Sequence, residues 1–318
     1  MSFSTTVKDE LAKIPVTDKD ELHAELAAYL RYTSTLRFHQ SKVSLILSTE
    51  IPSLARRIVY ILKELYDARV DVSVVKNHQL KRKSQYRILL EEEHLLQTVC
   101  SDSGYVQGYG FFDRSLTMSG AYLRSEEELR AYIRGTFLSV GSVSNPEKGY
   151  HLEFPFREEE QALDVQKWLE KAGFSLKCVP RKDYFILYLK EAELISDLLA
   201  YMGAGASVLS FESTRVMKDV RGRVNRLVNF ETANLSKTVS ASYRQMEDIA
   251  FLQERVGLDS LPENLAELAR LRLENPQASL LELGKLFQPP ISKSGINHRF
   301  QKIHKLAKDL RGESSERS

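Results

Sequence analysis

The residues with the clearest chemical potential lie between Ser292 and Lys305. Ser292, Lys293, Ser294, Asn297, His298, Arg299, Gln301, Lys302 and Lys305 fall within this short stretch without one carboxylate among them. On a helix, Ile296, Phe300, Ile303 and Ala307 share one side, while Ser294, Asn297, His298, Gln301, Lys302 and Lys305 share the other. Amide and imidazole groups can donate to and accept from base edges, and ammonium and guanidinium groups neutralise phosphate. Just upstream, Leu280, Leu283, Leu286 and Phe287 form the apolar face of a shorter helix, with Gly284 as the small residue that lets the next helix cross closely. Pro289 and Pro290 fix two φ angles and stop that helix, and Ser292 is a good N-cap for the next. A supporting helix is expected over Leu261 to Leu273. This is the layout of a helix, a tight turn and a second helix whose first residues can enter a major groove. A three-helix bundle that binds protein would bury the same apolar residues. The acid-free outer face favours nucleic acid.

A second group precedes it. Arg215, Lys218, Arg221, Arg223 and Arg226 sit within twelve positions. They are candidate phosphate contacts, but a solvated basic helix or interdomain ion pairs would use the same residues. Charge is unevenly spread along the chain. Residues 1–214 carry 27 Lys and Arg against 30 Asp and Glu, whereas residues 215–311 carry 17 against 11. The rear is therefore the part suited to a polyanion. Gly222 and the polar run NFETANLSK are expected to interrupt helix here. Asn225, Asn229, Asn234 and Lys237 could cap helices at a hinge or touch DNA.

Other chemistry finds little support. Cys100 and Cys178 have no Cys or His at zinc-ligand spacing, so both read as buried apolar thiols, and neither a metal nor a cofactor is expected. The glycines of GYVQGYG (104–110) and MGAGAS (202–207) match neither a P-loop nor a dinucleotide fingerprint and read as turns. His94 reads as a solvated helix position and Trp168 as core. No apolar run reaches the roughly 18 residues of a membrane span, and the first residues lack a secretory h-region, so a cytoplasmic location is expected.

These residues must be positioned by the rest of the 318-residue chain, whose composition is 42% hydrophobic and 28% charged. An internal repeat dominates it. The first copy, Glu21 to Gly104, reads helix (ELHAELAAYLRYTST), two strands (LRFHQ, KVSLILST), helix (PSLARRIVYILKELYDA), two strands (VDVSVVK, SQYRILLE), helix (EHLLQTVC). The second, Ser125 to Gly203, repeats that order. Ile58, Ile61, Leu62 and Leu65 show the helical period, while Tyr150, Leu152, Phe154 and Phe156 alternate against His151 and Glu153 as a half-buried strand does. The fold class is α+β: a duplicated αββαββα core, paired about a pseudo-two-fold axis so that each sheet covers its apolar face, then an all-α domain. The expected divisions are 1–124, 125–206, a basic helical connector at 207–257, a helix-turn-helix domain at 258–311, and a disordered tail at 312–318.

The stretch YIRGTFLSVGSVS (132–144) resembles the signature helix of LAGLIDADG homing endonucleases, with Gly135 and Ser139 as small crossing residues and Gly141 after the helix. Aligned on the first copy, Ile133 falls on Leu26, Gly135 on Ala28 and Gly141 on Ser34. The resemblance implies a metal-binding acid near the end of each helix. Those positions hold Thr33 and Val140, which cannot build a hard-cation site. The repeat, the lost acids, RGTFLSVGSVSNPEKGYHLEF (134–154), VNRLVNFETANLSKT (224–238) and the terminal helix-turn-helix together resemble the bacterial WhiA regulators over essentially the whole chain. The resemblance implies a sequence-specific DNA-binding transcription regulator of cell division and chromosome segregation, or of sporulation in some lineages. It also implies a nucleoid location, double-stranded DNA as partner, a catalytically inactive core, and a helix-turn-helix over about Gln277 to Arg311. A further transcription or division protein is an expected partner class, and a monomer is compatible with the sequence. The competing readings are an active metal-dependent nuclease on the same scaffold and a non-enzymatic protein-binding module.

Overall fold

A computed structural model describes residues 2–39, 42–76, 84–106 and 116–312. The chain forms two compact units, residues 1–218 and 219–318. Residues 107–115, between the two expected repeats and including the end of GYVQGYG, and all of the expected tail beyond Gly312 lie outside the described residues.

The first unit opens with α1 (Phe3–Leu11), which sequence reasoning did not anticipate. The first repeat follows as α2 (Lys19–Thr33), β1 (Ser34–His39), β2 (Lys42–Thr49), α3 (Pro52–Tyr66), β3 (Asp71–Lys76), β4 (Ser84–Leu90) and α4 (Glu93–Asp102). The second runs α5 (Glu126–Ser139), β5 (Ser142–Val143), β6 (Leu152–Phe156), α6 (Glu159–Lys171), β7 (Lys177–Arg181), β8 (Tyr184–Leu189) and α7 (Ala192–Met202). Both sheets are antiparallel with the same strand order, β1-β2-β4-β3 and β5-β6-β8-β7. The duplication is therefore topological as well as sequential.

Each sheet buries one face. Leu47 pairs with Ile88 and Phe154 with Leu187, and all four are buried, while their strand neighbours Ser48 and Glu153 are not. Helices α2 and α5 carry the seam between the repeats. A Cβ on Gly135 would lie 2.8 Å from the Glu25 carbonyl oxygen and 3.0 Å from Ala28 Cβ, so only glycine permits this approach. Both helices start where their caps dictate. Asp18 accepts from the amides of Asp20 and Glu21, and Ser125 and Glu128 form a reciprocal capping box. Trp168 is buried, with its indole N–H donating to Asp164 at 3.1 Å, and His94 is exposed, both as expected. Cys100 is buried, which pushes its thiol up to about 12. Cys178, expected buried, is only half-buried because its strand, β7, lies at the sheet edge.

Helix α1 ties two helix ends together. Lys8 Nζ donates to the Leu138 carbonyl at 3.1 Å, near the C-terminus of α5. The Glu10 carboxylate accepts from the amides of Ala206 and Ser207 at 2.7 and 2.9 Å, at the start of α8 (Gly205–Arg255). Charges of these signs suit those helix termini. The expected break in α8 does not occur: the helix runs through Gly222 and through 229–237. One helical glycine costs about 1 kcal/mol, which a helix of this length can carry.

The second unit packs the end of α8 with α9 (Glu263–Glu274), α10 (Leu280–Lys285) and α11 (Lys293–Leu310). Three helices were expected here; Ile249 and Leu252 of α8 add a fourth wall to the same core. Leu283 and Phe287 are buried as expected, but Leu286, one position past the end of α10, is 49% exposed.

Candidate nucleic-acid interface

Helix α11 is held by one face. Ile296, Phe300, Ile303 and Ala307 are all buried against Leu283, Phe287, Leu265 and Leu268. Its start is fixed by Ser292, whose Oγ accepts from the Gly295 amide at 3.2 Å. The turn before it is closed by the Ile291 amide donating to the Gly284 carbonyl at 2.8 Å. A Cβ at Gly284 would come within 2.2 Å of the Ile291 oxygen, so this glycine is needed for the turn itself as well as for helix crossing.

That anchoring leaves Ser292, Lys293, Ser294, Asn297, His298, Gln301, Lys302 and Lys305 exposed together along one side. Arg299 departs from the group. It is half-buried, donates to the Asn264 carbonyl at 3.3 Å and stacks its guanidinium 5.0 Å from the Phe287 ring centre. Its first use is to brace α11 on α9. The exposed row carries no carboxylate from Lys293 to Lys308, so its lysines can neutralise anions while its amides, hydroxyls and imidazole can donate and accept hydrogen bonds.

Arg272 is a residue that sequence reasoning passed over. It is 2% exposed, and its Nη1 donates to the carbonyls of Ala278, Asn275 and Pro276 at 2.6, 3.3 and 3.4 Å. Its guanidinium lies 5.3 Å from the Phe300 ring centre. Burial pulls its pKa below the usual arginine value. A buried cation that collects three loop carbonyls fixes the α9–α10 connection beneath α11. Asp248 of α8 does the same for its far end, accepting from Arg311 at 2.9 Å and meeting His304 at 2.6 Å.

The candidate phosphate contacts of α8 divide into two groups. Arg215 pairs with Glu193 at 3.2 Å and Glu212 at 3.5 Å, and Lys218 donates to the Pro146 carbonyl at 2.9 Å over the Tyr150 ring. Both are half-buried. Arg221, Arg223 and Arg226 are exposed.

At the ends of α2 and α5, Thr33 and Val140 line a cavity of about 510 Å³ with Arg31, Tyr32, Tyr105 and Arg157. Thr33 Oγ1 donates to the Tyr29 carbonyl at 2.7 Å. Arg31 gives its N–H groups to the carbonyls of Ala27, Ser103, Gly104 and Thr117 at 2.9 to 3.2 Å. The Arg31 guanidinium is thus satisfied by main-chain carbonyls at the ends of these helices. Among the described residues, no group of three or more His, Cys, Asp or Glu could hold a metal ion.

A duplicated sheet-and-helix core of this topology, followed by a helix-turn-helix bundle, defines the class of LAGLIDADG-like proteins with an appended helix-turn-helix. Three family models match in order: the WhiA N-terminal LAGLIDADG-like domain over residues 19–104, the WhiA LAGLIDADG-like domain over 129–221, and the WhiA C-terminal HTH domain over 224–307. The probable cell division protein WhiA of Clostridium botulinum is 43% identical over 312 residues, covering 98% of this chain and 99% of that protein. That of Clostridium beijerinckii is also 43% identical, with the same coverage. The crystal structure of full-length DUF199/WhiA from Thermatoga maritima matches with a TM-score of 0.57 at 26% identity, covering 97% of this chain and 99% of that one. The chain belongs to the WhiA family. Among the described residues no helix is long and apolar enough to cross a membrane.

Proposed function

We propose that this protein is a sequence-specific DNA-binding transcription regulator acting in cell division and chromosome segregation, with a LAGLIDADG-like core that does not cleave DNA. The observation that carries this reading is the acid-free, exposed row on α11, from Ser294 through Asn297, His298, Gln301 and Lys302 to Lys305. In this reading Asn297, His298 and Gln301 address base edges, while Lys293, Lys302 and Lys305 hold phosphates. Arg223 and Arg226 add phosphate contacts. The role in division rests on relatives described as probable cell division proteins. The inactive core rests on Thr33 and Val140 standing at the positions where the resemblance places the metal-binding acids.

The test is selection of a randomised duplex library by the full-length protein at physiological salt. The expected result is an enriched motif bound roughly a thousand-fold or more tighter than unrelated duplex. Equal retention of all sequences, or none even at low salt, would overturn the proposal. Chromatin immunoprecipitation should then place the motif upstream of division genes.

A further inference from the structure

Between Ser213 and Met246, α8 carries seven Lys and Arg but only two acids, Asp219 and Glu231. From Arg223 to Ser240 every residue of the helix is exposed. The two long sides differ sharply. Val220, Val224, Leu227, Leu235 and Val239 mark one side, and Glu231 falls among them. The opposite side presents Asn225, Asn229, Thr232, Ser236 and Ser240, which follow one another at the helical period of about 3.6 residues. Arg226, Lys237 and Arg244 flank this polar row, with the exposed Phe230 beside them; Gly222 and Ala233 lie between, and the exposed Tyr243 continues the row after Ser240.

The geometry points to this polar side of α8, from Gly222 to Arg244, as a second contact surface for duplex DNA, separate from α11. The inference rests on the reading of the protein as a DNA-binding regulator and extends it. Three observations favour a duplex over a protein as occupant. The row contains no acid, so nothing on it repels phosphate. Its amide and hydroxyl side chains can donate to phosphate oxygens, which supply half or more of the hydrogen bonds in such interfaces. Small residues at 222, 233, 236 and 240 let the helix backbone approach a broad surface closely. The basic residues at the other end of the cluster are already engaged: Arg215 with Glu193 and Glu212, and Lys218 with the Pro146 carbonyl. The contact is therefore centred further along the helix than the density of basic residues alone suggests.

The experiment uses the full-length protein and fluorescence anisotropy on its selected duplex across 50 to 200 mM salt. The double variant Arg226→Gln/Lys237→Gln is expected to reduce the slope of log affinity against log salt by about 1.8, at about 0.9 for each phosphate released, with base preference unchanged. Asn225→Ala/Asn229→Ala is expected to weaken binding to every sequence about tenfold. All four side chains are exposed, and unchanged circular dichroism will confirm that each variant folds. Backbone amides over 222–244 should exchange more slowly once DNA is added. A wild-type slope and affinity in both double variants, with exchange over 222–244 unaltered by DNA, would overturn the inference. If Asn297→Ala still relaxed base preference in that outcome, the regulator reading would stand without it. If the unmodified protein selected no sequence, that reading itself would fall.

Discussion

Arg134 of α5 reaches from the second repeat into the first and sets its Nη2 3.0 Å from Glu25 Oε2 of α2. Arg57 of α3 takes the same oxygen at 2.9 Å and the other carboxylate oxygen through its Nε, also at 2.9 Å. One fully buried carboxylate is thus shared by two guanidinium groups, one from each repeat.

Removing it should be costly. Glu25→Gln leaves the buried Arg57 without its anion and Arg134 with only Glu21 at 3.9 Å, and breaking a buried pair in this way costs about 3 to 5 kcal/mol. Burial alone raises the Glu25 carboxyl, but the charges of Arg134 and Arg57 and hydrogen bonds from Arg57 and Tyr29 outweigh it and hold its pKa below the ordinary 4.5. A depressed carboxyl contributes stability that is present above the unfolded value and lost as pH falls through the folded one. Urea unfolding at a series of pH values should show stability falling below about pH 4.5, with a shallower fall in Glu25→Gln. Parallel profiles for the two proteins would contradict this assignment.

Two glycines should respond in opposite directions to the same change. At Gly135 an added methyl meets the Glu25 carbonyl at 2.8 Å, and backbone cannot turn aside. Gly135→Ala should therefore destabilise the first unit by about 1 to 3 kcal/mol. At Gly222 the nearest atom is Arg226 Nη1 at 3.5 Å, and the site lies inside a helix. Gly222→Ala should stabilise α8 by about 1 kcal/mol through helix propensity. Thermal unfolding followed by circular dichroism resolves both signs.

The core should not cut DNA. Purified protein with magnesium or manganese is expected to leave supercoiled plasmid intact, because among the described residues the cavity that Thr33 and Val140 line holds a single carboxylate, Glu158, and no pair. Metal-dependent nicking that disappeared on Thr33→Ala would reverse the assignment of the inactive core.

The duplicated core was legible because its signals are local and repeated. Leu152, Phe154 and Phe156 alternate, and Ile58, Ile61 and Leu62 follow the helical period, so strands and helices could be placed within a few residues. The buried face of α11 was readable for the same reason. What escaped depended on distant partners. Phe3, Val7 and Leu11 sit four residues apart behind Ser2, which is enough to suggest a short helix, but only the ends of α5 and α8 show why it docks. Arg272 looks like a surface base in sequence, and its burial follows from loop carbonyls that only the fold brings together. The continuity of α8 was misjudged because glycine and asparagine have low helix propensity, and propensity is a weak guide within a long helix. Ile249 and Leu252 were an available sign of a fourth wall, since they repeat at helical spacing just before the bundle.

The residues of α11 should separate into three behaviours. Asn297 is exposed one residue beyond the buried Ile296, near the start of the helix where a groove-reading residue is expected. Asn297→Ala should lose roughly 1 to 3 kcal/mol of discrimination at one base position while keeping affinity for unrelated duplex. Lys302, a turn and more further on, should contribute charge without base recognition. Lys302→Ala should weaken binding to all sequences alike and lower the salt slope by about 0.9. Phe300 touches no solvent-facing ligand; it is 4% exposed and lies against the Arg272 guanidinium. Phe300→Ala should cost about 3 to 5 kcal/mol of core packing and unfold the second unit before DNA is considered. Library selection combined with thermal unfolding distinguishes the three. Identical binding profiles for Asn297→Ala and Lys302→Ala would show that base reading lies elsewhere on the helix. Wild-type thermal stability in Phe300→Ala would show that the bundle core does not set the position of α11.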